Sequence, residues 1–315
     1  LPARTPTALT GGTFTLSPAL ALSAEPRPDQ PPALRPGQRL AIVLDRSYSM
    51  GRHVSALVRS FEWVEQHLRP AHTIDLYLAG SEGRGEGAVR VDGPRGFDPR
   101  DVVYYGGQDP VALVADFQRL ARDTRYDAVL FLTDEGSYDL ARDAEAPRQL
   151  GAPVWFVHVG GQLPQGYDDG TLALIEQSGG GVSASLPEAI GSLALSRAPG
   201  VVAVDESYVW RRAAPSTEVA PTRGLVTHAA RQALVVAQAQ PAPLDVAALD
   251  ALHALARRFP QVSPYSSMLV LVNDEQRARL AAAEAAADRF DREVESGSER
   301  LSTPAGGFPS ITATP

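Results

Sequence analysis

Three oxygen-bearing side chains stand at alternate positions in Asp45-Arg46-Ser47-Tyr48-Ser49. The spacing Asp-x-Ser-x-Ser lets one tight loop direct all three oxygens at a single point. Oxygen donors without nitrogen or sulfur suit a hard divalent cation, Mg²⁺ above all. The same residue types are ordinary where a strand turns into a helix, because Ser and Asp cap helix N-termini. Taken alone, the stretch supports both readings.

The elements around it decide what it can reach. Ala41-Ile42-Val43-Leu44 is a short apolar run, as expected of a strand buried on both faces of a parallel sheet. Ligands in such sheets gather outside the carboxyl ends of the strands, where this loop would lie. Val54, Leu57, Val58, Phe61, Val64 and Leu68 then mark one face of a helix ending near Pro70. Thr73 to Ala79 reads as a strand, with Ala88 to Val91 as its hairpin partner. Gly83-x-Gly85-x-Gly87 lacks the Lys and Ser/Thr of a phosphate loop and reads as a turn. In Gly106-Gly107-Gln108-Asp109-Pro110, Asp109 and Pro110 are placed as N-cap and first residue of another helix. Asp127 to Thr133 is a second apolar strand, ending in Thr133-Asp134-Glu135-Gly136. Strand Pro153 to Val159, helix Leu172 to Ser178, strand Val182 to Ala184 and helix Leu186 to Leu195 complete the series. The alternation over 40–198 predicts an α/β domain with a doubly wound, mostly parallel sheet and helices on both faces.

Outside that span, 1–39 is a Pro/Ala-rich leader or linker, with Thr13 to Leu16 its strand-like fragment. Residues 199–296 read as an extension packing on the α/β domain. It comprises strand near 199–212, helices near 222–238 and 245–258, strand 264–272, and a helix from Asn273 to about Glu295. Leu280, Ala283, Ala287, Phe290 and Val294 give the last helix a narrow heptad stripe, for its own domain or for a partner helix. Residues 297–315 are a flexible linker.

A net charge of −8 without a basic run argues against nucleic acid as partner. Cysteine is absent, which excludes disulfides, thiolate metal sites and cysteine nucleophiles. No apolar window reaches the roughly 18–20 residues of a spanning helix. The chain starts without Met or a signal-peptide pattern, so it reads as a processed product or a piece of something longer.

Asp45-x-Ser47-x-Ser49 after an apolar strand resembles the metal-ion-dependent adhesion site of von Willebrand factor A domains. The Thr133-Asp134 turn is similar to that family's third motif, with Glu135 inserted before the Gly. The second motif, Gly-Gly-Thr, departs more: Gln108 stands where the Thr would be, and Asp109 takes its place if the register slips by one. The resemblance implies Ser47 and Ser49 as direct ligands of Mg²⁺ (or Mn²⁺ or Ca²⁺), with Asp45 and Asp134 acting partly through water. Gln108 or Asp109 would supply the second loop's ligand. It further implies a protein partner whose Asp or Glu carboxylate completes the coordination. The function expected on this basis is a cation-dependent protein-binding (adhesion) module, not an enzyme.

The tail, through Ser263-Pro264-Tyr265-Ser266-Ser267-Met268 and Asp288-Arg289-Phe290-Asp291-Arg292-Glu293, resembles bacterial membrane proteins that carry an A domain. Among them is an exosortase-associated (PEP-CTERM-linked) family. The Pro-Tyr-Ser-Ser segment is also similar to inter-α-trypsin-inhibitor-like proteins. This resemblance implies an extracytoplasmic place beside a membrane, tethered through segments absent from this chain.

Two other functions compete. A Mg²⁺-dependent hydrolase lacks the cradle and base that phosphoryl chemistry needs, and neither Gly-x-Ser-x-Gly nor His-Glu-x-x-His occurs. His53, nearest the loop, is then a base, a ligand or a packing residue. Alternatively the chain is a metal-free, degenerate A-type scaffold that binds partners through its C-terminal helices, the reading that Gln108 and Glu135 favour. Tyr48, Tyr104, Tyr105 and Tyr138 beside the loops offer either binding surface or packing.

Overall fold

Side chains that alternate between two apolar layers build the central sheet. The computed structural model describes residues 11–17, 20–92, 95–107, 109–122, 124–134, 149–164, 166–205, 207–214, 223–238, 245–259 and 273–286. In chain order come β1 (Gly12–Ser17), β2 (Leu20–Pro26), β3 (Arg39–Leu44), α1 (Val54–Trp63), β4 (Thr73–Leu78), β5 (Val89–Arg90), α2 (Pro110–Ala121) and β6 (Ala128–Thr133). There follow β7 (Val154–His158), α3 (Asp169–Ser178), β8 (Gly181–Ser183), α4 (Leu186–Ser196), β9 (Val201–Val204), β10 (Tyr208–Ala213), α5 (Arg223–Gln238), α6 (Val246–Arg258) and α7 (Asp274–Ala285).

Six strands form one sheet in the order β5-β4-β3-β6-β7-β8. All neighbours are parallel except the short edge strand β5, which runs antiparallel to β4. Leu40, Ile42 and Leu44 of β3 face one core with Leu57 and Phe61 of α1 and Leu186 and Leu193 of α4. Ala41 and Val43 face the other, with Val114 and Phe117 of α2 and Leu174 of α3. Period-two alternation with both faces apolar is what a strand between two helical layers requires. The result is a mixed sheet flanked by helices on both sides, a generic doubly wound α/β fold. Chain order reverses between β3 and β6, so the crevice between their carboxyl ends is the topological switch point.

Close packing fixes some positions outright. A Cβ on Gly180, just before β8, would lie 1.8 Å from the Val154 carbonyl oxygen of β7. Only glycine lets the two backbones approach this far.

A second, antiparallel sheet has the order β1-β2-β10-β9. Residues 12–26 therefore supply two strands, where the sequence suggested one strand-like fragment in a linker. β2 reads Leu-Ala-Leu-Ser-Ala-Glu-Pro, poor in β-branched residues, and its pairing with β10 spans most of the chain (Ala24↔Trp210). Trp210 is wholly buried, and α5, in which Ala229, Ala230 and Ala233 are buried, packs on this sheet.

The chain divides into two units, Leu1–Ala242 and Pro243–Pro315. In the second, α6 buries Leu252, Leu255 and Ala256. The helix expected to reach about Glu295 ends at Ala285, because Ala286 is extended (φ −67°, ψ 149°). α7 buries no residue and is held by its Asn273 cap, ion pairs along it and an Arg257–Glu284 pair with α6 at 3.3 Å. Of the heptad stripe, Leu280 and Ala283 lie on α7. Ala287, Phe290 and Val294 fall outside the described residues, as do the strand expected at 264–272 and the segments Ser263–Met268 and Asp288–Glu293.

Candidate functional site

At the switch point the two Asp-bearing loops meet. Asp45 follows β3, and its N–H still pairs with the Leu132 carbonyl of β6 at 3.0 Å. Its side chain is 2% exposed and turns back on the loop. Ser47 N–H donates to Asp45 Oδ1 at 2.8 Å, while Thr133 Oγ1 and Ser47 Oγ donate to Oδ2 at 2.8 and 3.1 Å. Asp134 accepts from Ser49 Oγ at 2.8 Å on Oδ1, and His53 Nε2 stands 3.4 Å from Oδ2. Ser47 Oγ and Ser49 Oγ lie 3.0 Å apart.

The electrostatics follow from this enclosure. Burial raises the Asp45 carboxyl from 3.8 to about 6, outweighing the bonds from Thr133 and Ser47 that lower it, with the Asp134 charge adding to the rise. Beneath lies His158 of β7, wholly buried, with Nε2 against the Tyr167 hydroxyl. Burial lowers its pKa from 6.5 to about 4, so its imidazole is neutral at pH 7.

The second loop is zipped to the first by backbone bonds, Tyr105 N–H to Arg46 O at 2.9 Å and Tyr48 N–H to Gly106 O at 2.8 Å. Gly107 lies against Ser47: a Cβ there would come within 3.8 Å of the serine Cβ. Asp109 caps α2, accepting from Ala112 N–H at 2.8 Å. Gln108, Glu135 and Tyr138 lie outside the described residues. Tyr48 is 75% exposed, whereas the half-buried Tyr104 bonds the Pro99 carbonyl.

The structure thus brings together Asp45, Ser47, Ser49 and Asp134, and it uses Asp109 as a cap. The cation expected there is not supported. Among the described residues no group of three or more His, Cys, Asp or Glu side chains could hold a metal ion. Two carboxylates converge, and hydroxyl, amide and imidazole groups of the same chain surround both. The expectations of Mg²⁺, Mn²⁺ or Ca²⁺ as cofactor and of cation-dependent adhesion are corrected accordingly. So is the expectation of a partner's Asp or Glu carboxylate completing a metal's coordination. Among the described residues no helix is long and apolar enough to cross a membrane.

Three participants carry little signal in the sequence. Thr133 belongs to the third motif, but the sequence does not show that its hydroxyl donates to Asp45. His53 is one of six scattered histidines, and the Gly160 backbone is what seats its ring, since a Cβ there would come within 2.7 Å of it. Arg46 occupies an unspecified position of Asp-x-Ser-x-Ser.

No protein-family model and no curated protein matches this sequence. Among solved structures, proximal thread matrix protein 1 from the mussel byssus is similar at 11% identity and a TM-score of 0.34, covering 51% of this chain and 47% of its own. The pilus adhesin SpaC from Lactobacillus rhamnosus GG, in its open conformation, is similar at 12% identity and a TM-score of 0.32. That match covers 58% of this chain and 32% of the adhesin. The matched regions therefore span about half and about a third of those two proteins.

Proposed function

We propose that this chain is a metal-independent protein-interaction scaffold of von Willebrand factor A type, presenting its C-terminal helices to a partner helix. The observation that carries the reading is the closed cluster at the switch point. Asp45 accepts from Ser47 and Thr133, and Asp134 from Ser49 with His53 Nε2 3.4 Å away, so the first and third motif loops are tied by the chain itself. The A-type assignment rests on the motif residues and on the doubly wound strand order that carries them, and an extracytoplasmic location on the resemblance of the tail.

The choice of the C-terminal helices rests on α7. Asn273 caps it, accepting from Gln276 N–H at 2.8 Å, and Asp274–Arg277 and Glu275–Arg279 pair along it at 2.6 Å. It nevertheless buries no residue. Isolated helices of this length are marginal in water, so a partner helix covering Leu280 and Ala283 would stabilise it. The test is capture of a partner from source-cell extract by the full chain in excess chelator. We expect capture to persist with chelator and with Asp134→Ala, and to fail in Leu280→Glu/Ala283→Glu. Capture lost on chelation, or indifferent to the α7 changes, would refute the reading.

A further inference from the structure

Among the described residues, one that is not glycine has a positive φ: Arg122, at φ 36° and ψ −100°, where α2 ends. Such a φ strains any residue with a Cβ, and helix ends that need one commonly take Gly. Strain of this kind lasts only where the surrounding structure holds it, and it gathers at ligand sites. Arg122 N–H donates to the Gln118 carbonyl at 3.1 Å. Its side chain folds back on the helix, Nε donating to the Arg119 carbonyl, also at 3.1 Å. Nη1 and Nη2 make no hydrogen bond or ion pair among the described residues. Arg122 is exposed, so an outside group can reach both.

Arg122 edges an open cavity of about 470 Å³, within the size range of small-ligand sites. It lies beside the turn into β6, at the other end of that strand from Asp134. Arg119 stands on the same rim, 54% exposed, with Asp116 at 3.2 Å. Ala115, Ala121, Tyr126 and Leu150 give apolar lining, and no described lining residue is acidic. The Asp75 carboxylate, to which the Tyr126 hydroxyl donates, is held by Arg39 and Arg90 at 2.7 Å each. Nor does the end of α2 hold out carbonyls to a cation: those of Gln118 and Arg119 accept from Arg122, and that of Ala121 from Thr124 N–H at 2.7 Å. Arg119 and Asp116 cancel, so among the described residues the rim keeps the single positive charge of Arg122, in a chain whose net charge is −8.

We infer that this cavity binds an organic monocarboxylate with an apolar body. The carboxylate lies across Nη1 and Nη2 of Arg122, the paired geometry that a guanidinium offers to two oxygens. The body lies along Ala121, Tyr126 and Leu150. A dianion would exceed the one uncompensated charge, and a neutral ligand would leave the fork empty. The inference does not rest on the scaffold reading, because the cavity involves neither the Asp45 cluster nor α7.

The test titrates the full chain with 1-naphthoate, followed by naphthyl fluorescence, beside 1-naphthamide and 1-naphthyl phosphate, with acetate as competitor. Naphthoate should saturate and bind about tenfold or more tightly than the amide, the scale of a charge-assisted hydrogen bond. It should also bind more tightly than the phosphate, and acetate should compete poorly. Arg122→Gln should weaken naphthoate about tenfold while the amide is unaffected. Arg122→Gly, free of the strained Cβ, should lose the ligand and melt at or above the wild-type temperature. No saturable binding at millimolar naphthoate, equal binding of the amide, or an affinity unchanged in Arg122→Gln would overturn the inference. A preference for the phosphate would overturn the monocarboxylate, and acetate competing as well as naphthoate would overturn the apolar body. Binding lost in Arg122→Gly together with a lower melting temperature would assign Arg122 to the fold and overturn its role in the site.

Discussion

Replacing Asp45 with Asn tests whether the buried carboxyl is held as an acid or as an anion. Folding moves its pKa from 3.8 to about 6. Between those values the folded carboxyl keeps a proton that the unfolded one has released. The wild type therefore gains stability from this group as pH falls through about 6, and the gain is complete below 3.8. At about pH 4.5 the proton-binding terms of the two states differ by a factor of roughly 27, and RT times its logarithm is ~2 kcal/mol. At about pH 7.5 the same quantity is near zero. Asn keeps an acceptor for Ser47 N–H, and its amide can donate to the Thr133 and Ser47 hydroxyls, which rotate to accept. The variant should fold and lack this slope. The assay is urea unfolding of both proteins from pH 7.5 to 4.5, read as the difference in free energy. Taking the difference matters, because His158 titrates in the same window with the opposite sign. The wild type's advantage should grow by about 2 kcal/mol toward acid. A constant difference, or one shrinking toward acid, would show that Asp45 is held as an anion and refute the reasoning.

Further expectations concern other sites. His158 has its pKa lowered from 6.5 to about 4, so it costs the fold stability as pH falls across that window; His158→Gln should recover ~2 kcal/mol at about pH 4.5 relative to pH 7.5 in the same assay. Asp205 accepts from Trp210 Nε1 at 2.6 Å, His228 Nε2 at 2.8 Å and two backbone amides, joining the β9–β10 turn to α5. These bonds outweigh burial and hold its carboxyl below the usual range. Asp205→Ala should cost about 2–4 kcal/mol and remove hydrogen-exchange protection from α5 before the six-stranded sheet. Gly180→Ala should cost more than ~3 kcal/mol by calorimetry, since the backbone oxygen 1.8 Å from the new Cβ has no side-chain freedom to yield.

The six-stranded sheet is legible in the sequence because its central strands are apolar runs set off by helices of different period. Leu40 to Leu44 and Ala128 to Thr133 show this most clearly. The meeting of the Asp45 and Asp134 loops is legible for a related reason, since both follow strands of one parallel sheet. The antiparallel sheet is not legible, because β2 lacks β-branched residues and pairs with a strand distant in the chain. Nor could spacing tell a cation site from a closed hydrogen-bond cluster. The two differ by ångström-scale direction of the Ser47, Ser49 and Thr133 hydroxyls, which composition does not encode.

Calorimetric titration of Mg²⁺ and Mn²⁺ into the full chain, beside thermal melts with and without chelator, bears most directly on the self-satisfied cluster. The account predicts no saturable heat up to millimolar ion, and a melting temperature unchanged by chelation. Saturable binding that disappears in Asp134→Ala, with stabilisation of the wild type by the ion, would contradict it.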